Sequence, residues 1–280
     1  MTKVKKALTI AGTDPTGGAG IQADLKTFQE REVYGMSVLT SVVAQNTMGV
    51  QAVQNMSTSF IEQQLKSVFS DIEPDAIKTG MIARIDMMEL IASYIKRHHH
   101  IPYCLDPVMV ATSGDVLMEE ASQAVIKQIL VPLATIVTPN LPEAEILVDQ
   151  QIKSLSDMEN AADYIVHKLG AKTVVVKGGH LEGKAIDVFY DGQQFHYLTS
   201  QRYDTKHTHG TGCTFSAVIT AELAKGKSTL EAVKIGKAFI SAAIRHSLEL
   251  GKGNGPTNHW GYRLAGLPNQ GGKRNEAGDL

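Results

Sequence analysis

Apolar runs and helical stripes alternate along this chain, with short polar breaks between them. Ala7-Leu8-Thr9-Ile10-Ala11 is a strand-like run that stops at Gly12, and Ile21, Leu25 and Phe28 then recur at helical spacing behind Gly17-Gly18-Ala19-Gly20. The plan repeats. An apolar strand from Met36 to Ala44 ends in Gln45-Asn46-Thr47, a helix follows from about Thr58 to Asp71, and Pro74 to Met81 is another strand closed by glycine. Met87, Leu90, Ile91 and Ile95 mark the next helix, Tyr103-Cys104-Leu105 a buried strand that exits into Asp106-Pro107. Two more strands, Thr135 to Val137 and Thr173 to Val176, exit into Thr138-Pro139-Asn140 and Lys177-Gly178-Gly179. Asp191-Gly192 between Asp187-Val188-Phe189-Tyr190 and Phe195-His196-Tyr197-Leu198 is a hairpin signal that breaks the rhythm with a small antiparallel edge. Phe215, Val218, Ile219 and Leu223 give a helix, and a second long one runs from about Thr229 to Leu250 before Gly251.

This alternation predicts an α/β fold whose mostly parallel central sheet carries helices on both faces. Residues 1–264 are expected to form a single domain, and residues 265–280, which lack apolar periodicity, a flexible C-terminal tail. The polar residues gather at strand exits, the edge where open α/β sheets bind ligands.

The most informative stretch is His207-Thr208-His209-Gly210-Thr211-Gly212-Cys213-Thr214, a glycine loop running straight into a helix. The orphan N–H groups of the first turn and the positive end of the helix dipole make an anion site there, suited to a phosphoryl group. Cys213 in that first turn is expected to have its thiol pKa lowered by the same field. By contrast, Gly12, Gly17, Gly18 and Gly20 match neither the dinucleotide fingerprint nor the P-loop spacing.

Other candidates each carry two readings. Asp24, near a helix start, is either a solvated carboxylate or a site residue. Gln45 can donate to and accept from a heteroaromatic ring or form a turn, and Met81 can pack on a flat ring or fill the core. Asp106 at a strand exit is a candidate for Mg²⁺, which takes one or two carboxylates with waters and phosphate oxygens. Asn140 and Glu143 make a capping box or project toward a hydrated metal and nucleotide phosphates. Lys177 beside two glycines suits phosphate as a point charge. The three histidines His98, His99 and His100 are expected to point apart at a solvated helix end rather than converge on an ion. Residues 111–114 form a polar loop that can cover a site.

Composition narrows the partners. With 280 residues, 43% hydrophobic, 20% charged and a net charge of −2, the chain has no electrostatic case for nucleic acid or an anionic membrane, so a small molecule is the expected partner. Two cysteines build no disulfide framework; Cys104 reads as a packed thiol and Cys213 as a functional one. No apolar stretch reaches membrane-spanning length and the basic N-terminus has no signal-peptide pattern, so a cytoplasmic location is expected.

Taken together, Ala11 to Asp24 with its glycine cluster, Gln45-Asn46-Thr47, Lys78-Thr79-Gly80-Met81, Asp106-Pro107-Val108-Met109, Thr138 to Glu145, Lys177-Gly178-Gly179-His180 and His207 to Ser216 resemble the hydroxymethylpyrimidine/phosphomethylpyrimidine kinases of thiamine biosynthesis. The resemblance implies a ribokinase-like three-layer sandwich, ATP as co-substrate, Mg²⁺, a cytoplasmic homodimer, and phosphorylation first of the pyrimidine alcohol and then of its monophosphate. Carried onto this sequence, it implies that Gly12, Asp24, Gln45 and Met81 bind the pyrimidine and that Gly210, Thr211, Gly212 and Cys213 form the catalytic anion hole. It further implies that Asp106 and Glu143 serve the metal, and that Asn140, Lys177 and Thr208 serve the nucleotide. In the wider ribokinase-like superfamily an aspartate base follows Gly-Thr-Gly, where this chain has Cys213. A pyridoxine or pyridoxal kinase is the nearest alternative, favoured less because Gln45-Asn46-Thr47 and residues 110–114 look like the thiamine enzyme. A non-catalytic ligand sensor on the same fold would predict degraded catalytic positions, which Gly-Thr-Gly-Cys, Asp106 and Lys177 do not show.

Overall fold

The computed structural model describes residues 3–109, 120–179 and 185–266. The loop expected at residues 111–114, His180 and the tail from residue 267 onward lie outside the described residues. In chain order the elements are β1 (Lys6–Ala11), α1 (Gly20–Glu30), β2 (Tyr34–Leu39), β3 (Ser41–Asn46), β4 (Gly49–Asn55), α2 (Thr58–Asp71), β5 (Ala76–Thr79), α3 (Ile85–Arg97) and β6 (Tyr103–Leu105). Then come α4 (Glu120–Val125), which continues through one π turn and one 3₁₀ turn, β7 (Ile136–Val137), α5 (Leu141–Val148), α6 (Leu155–His167) and β8 (Val174–Val176). The hairpin β9 (Ala185–Tyr190) and β10 (Phe195–Ser200) precedes α7 (Thr211–Ala224), α8 (Thr229–Arg245) and α9 (Gly261–Leu264).

Eight strands form one sheet in the order β10-β9-β8-β7-β6-β5-β1-β2. From β8 to β2 every pairing is parallel, and the hairpin adds the antiparallel edge that Asp191-Gly192 signals. Strand alternation builds two cores. Leu8, Ile10, Ile77, Leu105 and Val137 face a layer containing α2, α3, α5 and α6, whereas Ala7, Ala76, Cys104, Ile136 and Val175 face α1, α7 and α8. The result is three layers, helix, sheet and helix. Helix α7 is buried from Thr214 to Ala224 because it lies between the sheet and α8, and its Val218 packs on Phe239 and Tyr262. A buried ion pair, Arg31 Nη2 to Glu222 Oε1 at 2.8 Å, ties the end of α1 to α7. Among the described residues no helix is long and apolar enough to cross a membrane.

Three expectations change. The run from Met36 to Ala44 is two strands: β2 ends at Leu39 in register with Ala11, and the chain then leaves the main sheet at Thr40, whose N–H donates to the Ala11 carbonyl at 3.0 Å. Strand β3 pairs instead with β4, and an irregular register beside Ala44 and Gln45 marks the bulge between them. Most of β4 is exposed, so it lacks the apolar alternation that would have marked it in the sequence. The long C-terminal helix stops at Arg245 rather than Leu250; the side chain of Asn258 donates to the His246 carbonyl just beyond it, and Glu249 and Gly251 take positive φ. Finally, α3 ends at Arg97, so helical spacing no longer governs the three histidines, and His98 and His100 both turn toward Glu73.

Candidate active site

The carboxyl ends of β1, β5, β6, β7 and β8 deliver their polar residues to a single cavity of about 590 Å³, within the size range of small-molecule and cofactor sites. Gly12, Gln45, Met81, Asp106, Asn140, Glu143, Lys177, Thr208, Gly210, Thr211, Gly212 and Cys213 all line it. Asp24 does not; it lies fully buried behind the wall, where its Oδ2 accepts from Lys78 Nζ at 2.9 Å and from the Thr9 hydroxyl at 2.6 Å. The solvated reading of Asp24 is therefore wrong, and contact between it and a cavity ligand would pass through Lys78, which does line the cavity.

The loop before α7 is held open by its backbone. Gly210 is the N-cap in the left-handed region at φ 78° and makes no side-chain cap; the Thr211 N–H donates to the Thr208 carbonyl at 3.2 Å, and Gly212 and Cys213 of the first turn line the cavity. A Cβ on Gly210 would collide with the Gly18 carbonyl, which makes glycine obligatory where the two glycine loops cross. Gly212 differs: a Cβ there would sit 3.4 Å from Lys177 Nζ and 3.8 Å from Asp106 Oδ2. Those distances place the helix N-terminus, an ammonium and a carboxylate around one small space.

Asp14 fixes the neighbouring loop. Its carboxylate accepts from the backbone N–H groups of Thr16, Gly18 and Ala19, and lies 2.8 Å from His209 Nε2. Against the opposing effect of burial, these hydrogen bonds and the His209 imidazole hold it well below the usual carboxylate range. Gly12 has its own reason to lack a side chain, since a Cβ would lie 2.7 Å from Met81 Cε.

Charges inside the wall are coupled. Asp106, 1% exposed, accepts from Ser216 Oγ at 3.0 Å and Thr138 Oγ1 at 3.2 Å, with Lys177 Nζ 3.5 Å from its Oδ1. Burial works against the Lys177 ammonium, but Asp106, Glu143, Cys213 and Asp187 raise its pKa on balance. Burial likewise opposes the charge on Lys78, yet Asp24, Cys213 and Asp106 hold that ammonium firmly protonated. Glu143 is pushed up to about 7 by burial, reinforced by Asp106 and opposed by Lys177. The capping box is real too: Asn140 Oδ1 accepts from Glu143 N at 2.9 Å and Glu143 Oε2 from Asn140 N at 2.8 Å. Both residues cap α5 and line the cavity, so the two readings of the sequence are compatible.

Cys213 overturns the expectation of a lowered thiol pKa. Burial pushes the thiol up to about 12, with Asp24 and Asp106 adding to the rise and Lys78 only partly offsetting it. Desolvation and nearby carboxylates outweigh the helix dipole. Cys104 is the packed thiol expected, buried against the Ser216 carbonyl at 3.7 Å.

Lys78, Asp14 and His209 escaped sequence reading. A lysine within the otherwise apolar strand Ala76–Thr79 was the available signal, since a buried charge demands a partner. An Asp two residues before a Thr in a glycine-rich loop is an Asx-turn signal.

The surroundings of this cavity have close relatives. Residues 14–258 match the family model for phosphomethylpyrimidine kinase. A hydroxymethylpyrimidine/phosphomethylpyrimidine kinase of Staphylococcus aureus (strain MSSA476) is 52% identical over 264 residues, 94% of this chain and 96% of the relative. Among solved structures, an ADP complex of Bacillus subtilis pyridoxal kinase superposes with a TM-score of 0.88 at 47% identity, covering 94% of this chain and all (100%) of that one. The phosphomethylpyrimidine kinase of Clostridium difficile 630 gives a TM-score of 0.78 at 41% identity, covering 86% of this chain and 100% of its own. With a family model matched over residues 14–258 and a relative 52% identical over 94% of its length, this chain belongs to the phosphomethylpyrimidine kinase family.

Proposed function

We propose that the chain phosphorylates 4-amino-5-hydroxymethyl-2-methylpyrimidine and then its monophosphate, using ATP, as a kinase of thiamine biosynthesis. The observation that carries this reading is the uncapped first turn of α7 opening beside Lys177 and Asp106 in the same cavity as Gln45 and Met81. In the first reaction the hydroxymethyl oxygen bonds to the γ-phosphorus, the bond to the bridging oxygen of ADP breaks, and the alcohol proton passes to solvent. In the second, a phosphate oxygen of the monophosphate is the nucleophile and, being ionised, has no proton to lose.

Each residue then has a task. The amides of Gly212 and Cys213, with Gly210 and Thr211 shaping the turn, take the charge that spreads over the transferred group. Lys177, Thr208 and Asn140 hold the nucleotide phosphates. Gln45 reads the ring amine and ring nitrogen, Met81 lies on the ring face, and Gly12 leaves room for both. Lys78, held protonated and fixed in place by its ion pair with Asp24 behind the wall, offers a positive charge to the cavity. A thiol pushed up to about 12 is a poor proton acceptor at neutral pH, so positioning and charge stabilisation carry the first step.

Mg²⁺ fits the donors present. Asp106 and Glu143 are two oxygen ligands in one pocket, and the raised pKa of buried Glu143 is a strain that a cation relieves. When bound there it would neutralise phosphate charge during transfer.

We further propose that residues 1–264 work as one kinase domain in a cytoplasmic homodimer. Val42 and Met48 on the β3-β4 ribbon are 45% and 67% exposed, apolar side chains outside the cavity that a second copy would cover.

Pyridoxal phosphorylation is the second reading, because a pyridoxal kinase superposes so well and the two substrates share a hydroxymethyl group on a nitrogen heteroaromatic ring. A panel of hydroxymethylpyrimidine, its monophosphate, pyridoxine and pyridoxal, each with ATP and Mg²⁺, decides between them. A kcat/KM for hydroxymethylpyrimidine at least ten times that for either pyridine supports the first reading, and the reverse order replaces it.

A further inference from the structure

Glu73, His98 and His100 meet at the opposite end of the strands from the cavity. Glu73 lies on the connection from α2 into β5, and the two histidines on the connection from α3 into β6. His98 Nδ1 stands 3.2 Å and His100 Nε2 3.4 Å from the same carboxylate oxygen, Glu73 Oε1. All three ligand atoms lie within 4.8 Å of one another. The arrangement is supported from behind: the His98 ring packs on Phe69 with centroids 4.3 Å apart, the His98 backbone N–H donates to the Tyr94 carbonyl and the His98 carbonyl accepts from the Ile101 backbone N–H.

We infer that Glu73, His98 and His100 form a binding site for a borderline divalent transition ion of the Zn²⁺ class, distinct from the Mg²⁺ proposed for catalysis. The geometry carries it. Bonds of about 2.0–2.2 Å from Zn²⁺ to imidazole nitrogen and carboxylate oxygen, set tetrahedrally, put neighbouring ligand atoms about 3.3–3.5 Å apart. The two nitrogen-to-oxygen edges, at 3.2 and 3.4 Å, already have nearly that length, and the edge between the nitrogens is within 4.8 Å. Two imidazoles with one carboxylate suit Zn²⁺, Ni²⁺ or Cu²⁺ and disfavour Mg²⁺, which demands oxygen ligands. Nearby positive charge is partly neutralised, since Lys5 and Lys6 both pair with Asp75, Lys6 at 3.0 Å. His99, between the two ligands in sequence, is outside the cluster.

Such an ion would clamp the entries of β5 and β6, whose far ends supply Lys78 and Asp106 to the cavity. It binds the folded arrangement better than the open chain, so it raises the melting temperature with the logarithm of its concentration over its dissociation constant and leaves turnover unchanged.

The test is calorimetric titration of the EDTA-treated, full-length protein with ZnCl₂, alongside His98→Ala, His100→Gln and His99→Ala. All three substituted positions are half-buried or exposed, and metal-free melting curves confirm that each variant is folded. The inference predicts a micromolar or tighter site in the parent and in His99→Ala, weakened by at least about tenfold in His98→Ala and in His100→Gln. Titration with Co²⁺ adds a readout independent of stability: strong visible ligand-field absorption in the parent, lost in both ligand variants. Equal Zn²⁺ affinity in all four proteins, or no such binding in the parent, overturns it.

Discussion

Replacing Gly212 by valine is the most discriminating perturbation of the anion site, because the structure separates its effect on folding from its effect on transfer. Gly212 lies in the first turn of α7 and is not among the glycines with positive φ, so valine can adopt its backbone conformation. The new Cβ would meet Lys177 Nζ at 3.4 Å and Asp106 Oδ2 at 3.8 Å, one the tip of a flexible side chain and the other an ordinary contact. Valine also has a slightly better helix propensity than glycine, so stability should change by less than about 1 kcal/mol. Turnover should not survive. The two γ-methyl groups would occupy the space between the loop amides and Lys177 that a phosphoryl group needs. Losing a single oxyanion donor costs about 10²–10³ in kcat, and blocking both amides should cost at least about 10³, or about 4 kcal/mol. ADP release at saturating ATP and Mg²⁺, measured with a urea melt of the same preparation, tests both halves. Gly210→Ala is the contrasting variant, since it collides with Gly18 and should damage the fold itself. Turnover of Gly212→Val within tenfold of the parent, with the fold intact, would refute this placement of the phosphate.

Gln45→Ala should weaken pyrimidine binding by about 1–3 kcal/mol and leave ATP binding unchanged; equal losses in calorimetric titrations remove Gln45 from the ring pocket. Cys213→Ala should slow both phosphorylations by similar factors, within about tenfold, because a thiol pushed up to about 12 is protonated at pH 7. A first step slowed 10²-fold or more in single-turnover assays, with the second spared, would restore the thiol as a base. Glu143 sets a pH dependence of stability with a definite sign. Its folded pKa rises from 4.5 to about 7, so the folded state holds a proton the unfolded chain has released, and stability falls as pH climbs through that window. At about 1.4 kcal/mol per pH unit the loss is at most about 3.5 kcal/mol. Glu143→Gln keeps a capping amide and should gain stability relative to the parent at pH 8 over pH 4.5 in urea melts; an unchanged difference contradicts the raised pKa.

Much of this molecule was legible in the residues because its signals are local. Leu8 and Ile10 alternate with Ala7 and Thr9 as a strand buried on both faces must, and Asp191-Gly192 marked the antiparallel edge. The glycine loop before Phe215 marked a helix start, and α7 does begin there, at Thr211, with no side-chain cap. Non-local features stayed hidden. Nothing in Met36 to Ala44 shows that Thr40 bonds to Ala11 and sends the chain out of the sheet. Asp24 and Lys78, 54 residues apart, reveal their pairing only when β1, α1 and β5 pack together. The Cys213 thiol was misjudged for the same reason: the helix dipole is readable from sequence, whereas desolvation in the cavity wall and the charges of Asp24 and Asp106 depend on the assembled fold. His98 and His100 looked divergent under helical spacing, and converge because α3 ends first and Glu73 comes from another connection.

The central claim, two successive phosphoryl transfers in one cavity, is tested most directly by following a single incubation of hydroxymethylpyrimidine with excess ATP and Mg²⁺ by mass spectrometry. The account predicts that the monophosphate rises and falls, the diphosphate accumulates, and two ADP form per pyrimidine consumed, with Gly212→Val producing neither product. Accumulation of monophosphate alone with one ADP, or no phosphorylation of the pyrimidine while pyridoxal is consumed, would contradict it.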